Sequence, residues 1–418
     1  MIKQPLNKPS GLAWAPLVPT HWTVKKLGFL ALLKSGDSIT TDDIKDDAPY
    51  PVYGGNGLRG YTERFTHGGE YALIGRQGAL CGNINYAKGE FWASEHAVVV
   101  DPREQVVVRW LGELLRAMEL NQYSVSAAQP GLSVETIAAL KVPVPPLKEQ
   151  RAIADFLDRE AARLDALVAA KERVLGLLAE KRRARVTRAV TRGLDPRAPL
   201  RDSGIPWLGE IPAHWSIIPL KHACSLIKDG THLPPERTMM GIPLLSVRNV
   251  VGETFRTLPD DSLIDEEDYE VLCRAFRIER NDVLLAIVGA TLGKVAVVGD
   301  MPRFHIQRSL AAFRANPKLL DFNYLASCLR SDWFQAILWE SVSFSAQPGL
   351  YLGSLRDFVV TRPPLEEQRA IAARVSTEAY KWDAIQSAIE HTITLLKERR
   401  AALIAAAVTG QIDVEAAA

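Results

Sequence analysis

Apolar positions step by four and three along two long stretches of the chain. The first series is Ile153, Leu157, Ala161, Leu164, Val168, Leu175 and Leu178, with Lys171 interrupting it. The second is Ile371, Val375, Ala379, Trp382, Ile389, Ile393 and Leu396, with Gln386 interrupting. The two series coincide under one offset, 363 − 145 = 218, measured between the Pro-Pro pairs at Pro145 and Pro363. Such spacing predicts two long helices, each with a narrow apolar seam of the coiled-coil kind. The natural partner of each seam is the other copy. A Pro-Pro pair suits the start of a helix. Glu149, and Glu366 with Glu367, then stand in the first turn, where the helix dipole favours negative charge. A helix of about 44 residues at about 1.5 Å per residue is about 66 Å long.

Two further repeats frame these helices. SGLAWAPLVPTHW (Ser10 to Trp22) matches SGIPWLGEIPAHW (Ser203 to Trp215), at an offset of 203 − 10 = 193. Ahead of each helix, Gln129-Pro-Gly and Gln347-Pro-Gly return to the offset of 218. The chain therefore reads as a tandem duplication, each unit a globular region followed by a long helix, with an insertion in the second unit. The expected segments are a globular domain over 1–146, a helix over 147–192, a second globular domain over 193–364, a helix over 365–410 and a tail over 411–418. Short alternating runs broken by Gly and Asn, such as YPVYGGNGLRGY and DVLLAIVGATLGKVAVVG, predict irregular strands. Short helices are expected over Val107 to Leu120 and around Asp321 to Glu340. The fold class is α+β: two globular domains separated by two long antiparallel coiled-coil helices in a pseudo-twofold arrangement. Duplicated helices would present equivalent surfaces to two identical partners.

Composition narrows the function classes. The 418 residues are 47% hydrophobic, enough for sizeable cores, and the net charge of +1 gives no bulk evidence for nucleic acid. Locally, Lys181, Arg182, Arg183, Arg185, Arg188 and Arg192 cluster at the end of the first helix. They complement the dipole there, and could meet either an acidic partner or a phosphate backbone. Four scattered cysteines without C-x-x-C spacing argue against zinc and a disulfide framework. With no bilayer-length apolar run and no signal-peptide core, the expected location is the cytoplasm.

Catalytic motifs fail on inspection. GATLGK, from Gly289 to Lys294, is one residue short of a phosphate-binding loop, and Val295 stands where a Ser or Thr would hold magnesium. GRQGALCG, from Gly75 to Gly82, does not fit the dinucleotide pattern. The glycines there read as serving close backbone approach. No Glu-x-Lys occurs, nor the Asn-Pro-Pro-aromatic or Asp-Pro-Pro-Tyr segment with which an amino-methyltransferase holds its target amine. His21 and His214, repeated beside a tryptophan, read as packing residues. What remains is a set of turn-rich loops bearing side chains that reach base edges. They are Asn56, Arg59, Arg76, Gln77 and Asn83 in the first unit, and Lys228, Thr231, Arg248, Asn249, Lys294, Gln307 and Arg308 in the second. The shared Gln-Pro-Gly elements read instead as backbone positioning or turns, because two different sites need different readers.

The paired PPL-x-EQRAIA helices, SGIPWLGEIPAHW, LLSVRNV, VGATLGKVAVV and QRSLAAFRA resemble the specificity subunit of a type I restriction–modification system over nearly the whole chain. That resemblance implies a non-catalytic subunit whose two target-recognition domains each read one half of a split, asymmetric site on double-stranded DNA. The helices would set the half-site spacing and bind two modification subunits, through positions such as Leu157, Leu164, Leu175, Leu178, Val375, Trp382, Ile389 and Ile393. S-adenosylmethionine, ATP and magnesium would belong to partner subunits, namely the methyltransferase and a restriction motor. The first start motif departs from the second, with AWAPLVPTHW in place of PWLGEIPAHW. Two alternatives stay open: a related type II-like restriction system, and a coiled-coil scaffold that does not touch DNA.

Overall fold

A computed structural model describes residues 6–78, 80–124, 131–342 and 349–414. Gln129-Pro130 and Gln347-Pro348 lie outside the described residues. The chain forms two compact units, one comprising 1–172 with 390–418 and the other 173–389. Each long helix, Leu147–Arg192 and Leu365–Val408, contributes a segment to both. Among the described residues no helix is long and apolar enough to cross a membrane.

The first unit is built on a six-stranded sheet. Its spatial order is Ala31–Ser35, Ala97–Pro102, His67–Gly75, Ile84–Ala93, Tyr50–Gly54, Gly57–Thr62. All neighbours are antiparallel except Tyr50–Gly54 beside Ile84–Ala93. The run Ala97-Val98-Val99-Val100 is buried on both faces, as a β-branched central strand should be. The helix Val108–Ala117 turns Trp110, Leu111, Leu114 and Leu115 into the core. Joining them are Ile153 and Leu157 from the first long helix, and Ile404, Ala407 and Val408 from the second. Val414, in the tail, packs in the same core.

The second unit repeats the plan with a six-stranded sheet ordered Cys224–Asp229, Leu310–Ala315, Val283–Ala286, Val295–Val297, Thr254–Phe255, Val250–Val251. GATLGK forms the turn between two of these strands. The acidic stretch before Tyr269 enters the helix Glu266–Cys273, capped by Asp265, whose Oδ1 accepts the Asp268 N–H at 2.7 Å. The expected helix over 321–340 is two helices, Phe322–Arg330 and Asp332–Glu340, broken at Ser331. Asp321 caps the first of these through the N–H groups of Asn323 and Tyr324. The core gathers Ala189, Val190, Trp215, Phe313, Tyr324, Phe334 and Ile371.

Within each unit the long-helix segments run antiparallel. In the first, Asp165 pairs with Arg400 at 2.9 Å and Glu172 with Lys397 at 3.7 Å. In the second, Arg182 donates to Asp383 at 2.6 Å, and Val190 shares a core with Ile371. The repeated motifs find their reason at the helix starts. Glu149 accepts from Trp22 Nε1 at 2.8 Å and pairs with His21 at 2.7 Å. Its counterpart Glu367 pairs with His214 at 2.8 Å. The neighbouring glutamines are buried: Gln150 Nε2 donates to the Pro145 carbonyl at 3.1 Å and Gln368 Nε2 to that of Pro363 at 2.8 Å.

Candidate nucleic-acid interface

One set of backbone contacts occurs in both units at the same ends of the sheet's inner strands. In the first, the Gly75 N–H donates to the Asn83 carbonyl at 2.8 Å and the Gly82 N–H returns to Gly75 at 2.8 Å. The Arg76 N–H donates to His96 at 2.9 Å, and that of Ser94 to Tyr53 at 2.8 Å. In the second, Ala286 donates to Lys294 at 2.8 Å, Gly293 to Ala286 at 2.9 Å, Ile287 to Ser309 at 2.9 Å and Gln307 to Leu245 at 2.9 Å. Isolated bridges repeat as well: Asp37–Ser94 and Gln77–Gly131 correspond to Thr231–Gln307 and Val288–Gly349. A glycine precedes the first bridge each time, for a steric reason. A Cβ on Gly36 would lie 2.2 Å from the Ala93 carbonyl oxygen, and one on Gly230 would lie 2.2 Å from that of Ile306.

This correspondence aligns unlike side chains. Asn83 stands where the second unit has Lys294, Ser94 where it has Gln307, Glu95 where it has Arg308, and Gln77 where it has Val288. Three residues beyond Tyr53 and Leu245 come Asn56 and Arg248. Ser94 is buried, so the groups presented are those at the other positions; on a common scaffold they differ in charge and hydrogen-bonding sense.

The candidate residues fall around these strand ends with different degrees of freedom. Asn56, Arg59 and Gln77 are exposed, and Asn83 is half-buried. Arg76 is half-buried and donates to Ser35 Oγ at 3.2 Å. Lys228, Lys294 and Arg308 are exposed. Thr231 Oγ1 donates to the Leu233 carbonyl at 2.9 Å, and Gln307 Nε2 to that of Leu244 at 3.2 Å. Arg248 pairs with Asp260 and, at 3.4 Å, with Asp261. Its hydrogen bond holds the Asp260 carboxyl below its ordinary pKa.

Asn249 requires a correction. It is fully buried: its Nδ2 donates to the Arg256 carbonyl at 3.1 Å and to Asp261 at 2.9 Å, while its Oδ1 accepts the Ser246 N–H at 2.9 Å. The amide is consumed in holding its own turn and cannot meet a base. Residues passed over in the sequence also lie here. Asn85 Nδ2 and Glu95 Oε2 are buried with no partner among the described residues. Leu233, Met239 and Met240 stand 89%, 95% and 85% exposed on the loop that leaves Thr231. Repeats and polarity gave no signal for the apolar ones.

The helix positions expected to meet partners need a second correction. Leu157, Leu164 and Ile393 are buried, and Leu175, Leu178, Val375, Trp382 and Ile389 half-buried, because they form the seam itself. The apolar side chains left outside are Leu167, Val174 and Leu177, with Ile385 and Leu395, each more than 40% exposed.

The family model for type I restriction modification DNA specificity domains matches residues 19–174 and 251–395. The chain belongs to this specificity family. Among similar members, the EcoprrI specificity subunit of Escherichia coli is 45% identical over 139 residues, which is 32% of this chain and 35% of that protein. The EcoBI specificity subunit of Escherichia coli is 25% identical over 319 residues, 72% of this chain and 64% of that one. The MjaVIII specificity subunit of Methanocaldococcus jannaschii is 23% identical over 382 residues, 86% of each. The chain thus matches about a third of the first relative and just under two thirds of the second. A chain solved in work on complex assembly and conformational transition of a type I R-M system shares the fold, with a TM-score of 0.70 at 18% identity over 94% of this chain and 99% of that one.

Proposed function

We propose that this chain is the DNA-recognition subunit of a type I restriction–modification complex, and that each unit reads one half of a bipartite, asymmetric site. One observation carries the reading: a single backbone framework, repeated, presents unlike side chains at matching positions. A homogeneous scaffold protein has no use for that difference, whereas two unlike half-sites demand it. Exposed Arg308, Lys294 and Arg248 suit guanine or phosphate, and Asn56, Gln77 and Asn83 suit adenine.

In this reading the long helices set the half-site spacing, since stiff rods fix a separation that a flexible linker would blur. Their outward residues Leu167, Val174, Leu177, Ile385 and Leu395 would seat two methyltransferase subunits. Adenine methylation with S-adenosylmethionine, and cleavage driven by ATP and magnesium on a motor subunit, would reside in those partners. The chain contributes recognition and no chemical step.

The test is sequence-specific retardation of a DNA fragment by the chain with its modification subunits, persisting over competitor DNA at physiological salt. Sequencing of methylated adenines in the host would give the site. Uniform retardation of every fragment would sink the proposal.

A further inference from the structure

The basic end of the first long helix is left unused by DNA reading. It lines a cavity of about 480 Å³ within the second unit. Five guanidinium groups wall it, those of Arg182, Arg185, Arg188, Arg330 and Arg374, against two carboxylates, Glu253 and Glu378. Glu253 is shared by Arg182 at 2.5 Å and Arg330 at 2.8 Å, Arg182 also pairs with Asp383 at 2.6 Å, and Glu378 pairs with Arg374 at 2.8 Å. Among the described residues Arg185 and Arg188 have no ion-pair partner. Two donors in the lining, Arg330 Nε and Trp382 Nε1, are buried and meet no acceptor among those residues. The site therefore holds an excess of positive charge and of hydrogen-bond donors.

The duplication supplies an internal control. Under the offset of 218, Arg374 and Trp382 correspond to Phe156 and Leu164 of the first unit, and Arg185 and Arg188 to Leu403 and Ala406. There Phe156 is buried and Leu403 packs against the same core. Closing this junction needs no arginine, so the fold does not explain the cluster. A partner bound alike to both helices does not explain it either, since it would meet apolar side chains at one end and guanidinium groups at the other. The Arg330 side chain is set back in the cavity, 21% exposed with its Nε buried.

We propose that this cavity binds a small phosphate-bearing molecule, its phosphate held by Arg185, Arg188 and the Nε of Arg330. Guanidinium groups match phosphate oxygens in geometry and charge. The apolar wall of Val375, Ala379 and Trp382 would support the remainder of the ligand, and the volume lies within the range of small-molecule sites. Burial lowers the Arg330 pKa, Glu253 opposes that shift and Arg182 adds to it. A bound anion would reinforce Glu253. The inference is independent of how DNA is read.

The experiment is calorimetric titration of the full chain with inorganic phosphate and, separately, with ATP, at matched ionic strength. The wild-type chain binds at least one probe, and Arg185→Gln/Arg188→Gln weakens that binding by about tenfold or more. Both arginines are exposed, so the variant folds, and Arg183→Gln on the same helix leaves binding unchanged. Binding of both probes points to a simple phosphate site, and of ATP alone to a nucleotide site. Failure of both probes overturns the proposal, as does equal weakening in Arg183→Gln, which would reveal unspecific charge. Failure of both probes together with loss of the modification subunit from the double variant would identify the cavity as a dock for an acidic protein surface.

Discussion

Gln150 Oε1 accepts the backbone N–H of Val107 at 3.0 Å, joining the first turn of a long helix to the start of the short helix Val108–Ala117. Gln368 does the same for the Asp321 N–H at 2.8 Å in the second unit. Replacing either by Leu fills the same space and strands one buried backbone carbonyl and at least one half-buried backbone group. At about 1–3 kcal/mol for each, Gln150→Leu or Gln368→Leu lowers stability by about 2–6 kcal/mol. Equilibrium urea unfolding checks this, and a loss below about 1 kcal/mol would contradict it.

Gly36→Ala and Gly230→Ala force a methyl into a carbonyl oxygen at 2.2 Å. Neither site can relax without moving a strand end. Each variant loses about 2 kcal/mol or more, read as a fall in melting temperature. Gly78→Ala, whose Cβ meets no atom within 4 Å, suffers only the strain of its positive φ.

Arg308→Ala and Asn249→Ala separate reading from holding. Arg308 is exposed, so its removal leaves stability intact and weakens binding by about 1–3 kcal/mol. That loss is confined to one base pair if Arg308 reads a base, and uniform if it meets phosphate. Asn249→Ala destabilises the second unit and lowers binding only through the folded fraction. Melting curves beside binding isotherms distinguish the two.

His305 is buried between Phe276 and Ile306, and burial lowers its pKa. Between the unfolded value near 6.5 and that lower folded value, the unfolded chain binds more protons. Stability is therefore full above about pH 6.5 and declines as pH falls through this window. His305→Gln flattens the decline. Denaturation midpoints from pH 8 to 5, in wild type and variant, test the sign.

Removal of about seven residues, one heptad, from each long helix keeps the seams matched. The proposal that the helices act as spacers then requires altered half-site spacing with unchanged half-site sequences. Methylation patterns before and after the deletion provide the measurement.

The helices and the duplication are legible because the 218-residue offset keeps the seam apolar in both copies from Ile153/Ile371 to Leu178/Leu396, except at Val168/Gln386 and Lys171/Ile389. The candidate interface is only partly legible. Asn83 and Lys294 were both singled out, yet their equivalence emerges only from backbone hydrogen bonds, since insertions destroy any constant offset between them. Asn249 misled because an amide beside an arginine looks the same whether it faces solvent or Asp261. The arginine cavity was visible only as a charge cluster, because its other wall, Glu253 and Arg330, lies far away in sequence.

Residues 390–414 complete the first unit, whereas 173–389 form an uninterrupted segment. During synthesis the later lobe can close while the earlier one still lacks Ile404, Val408 and Val414. A chain cut before Ile404 would therefore leave open the core of the lobe furthest from the cut in sequence.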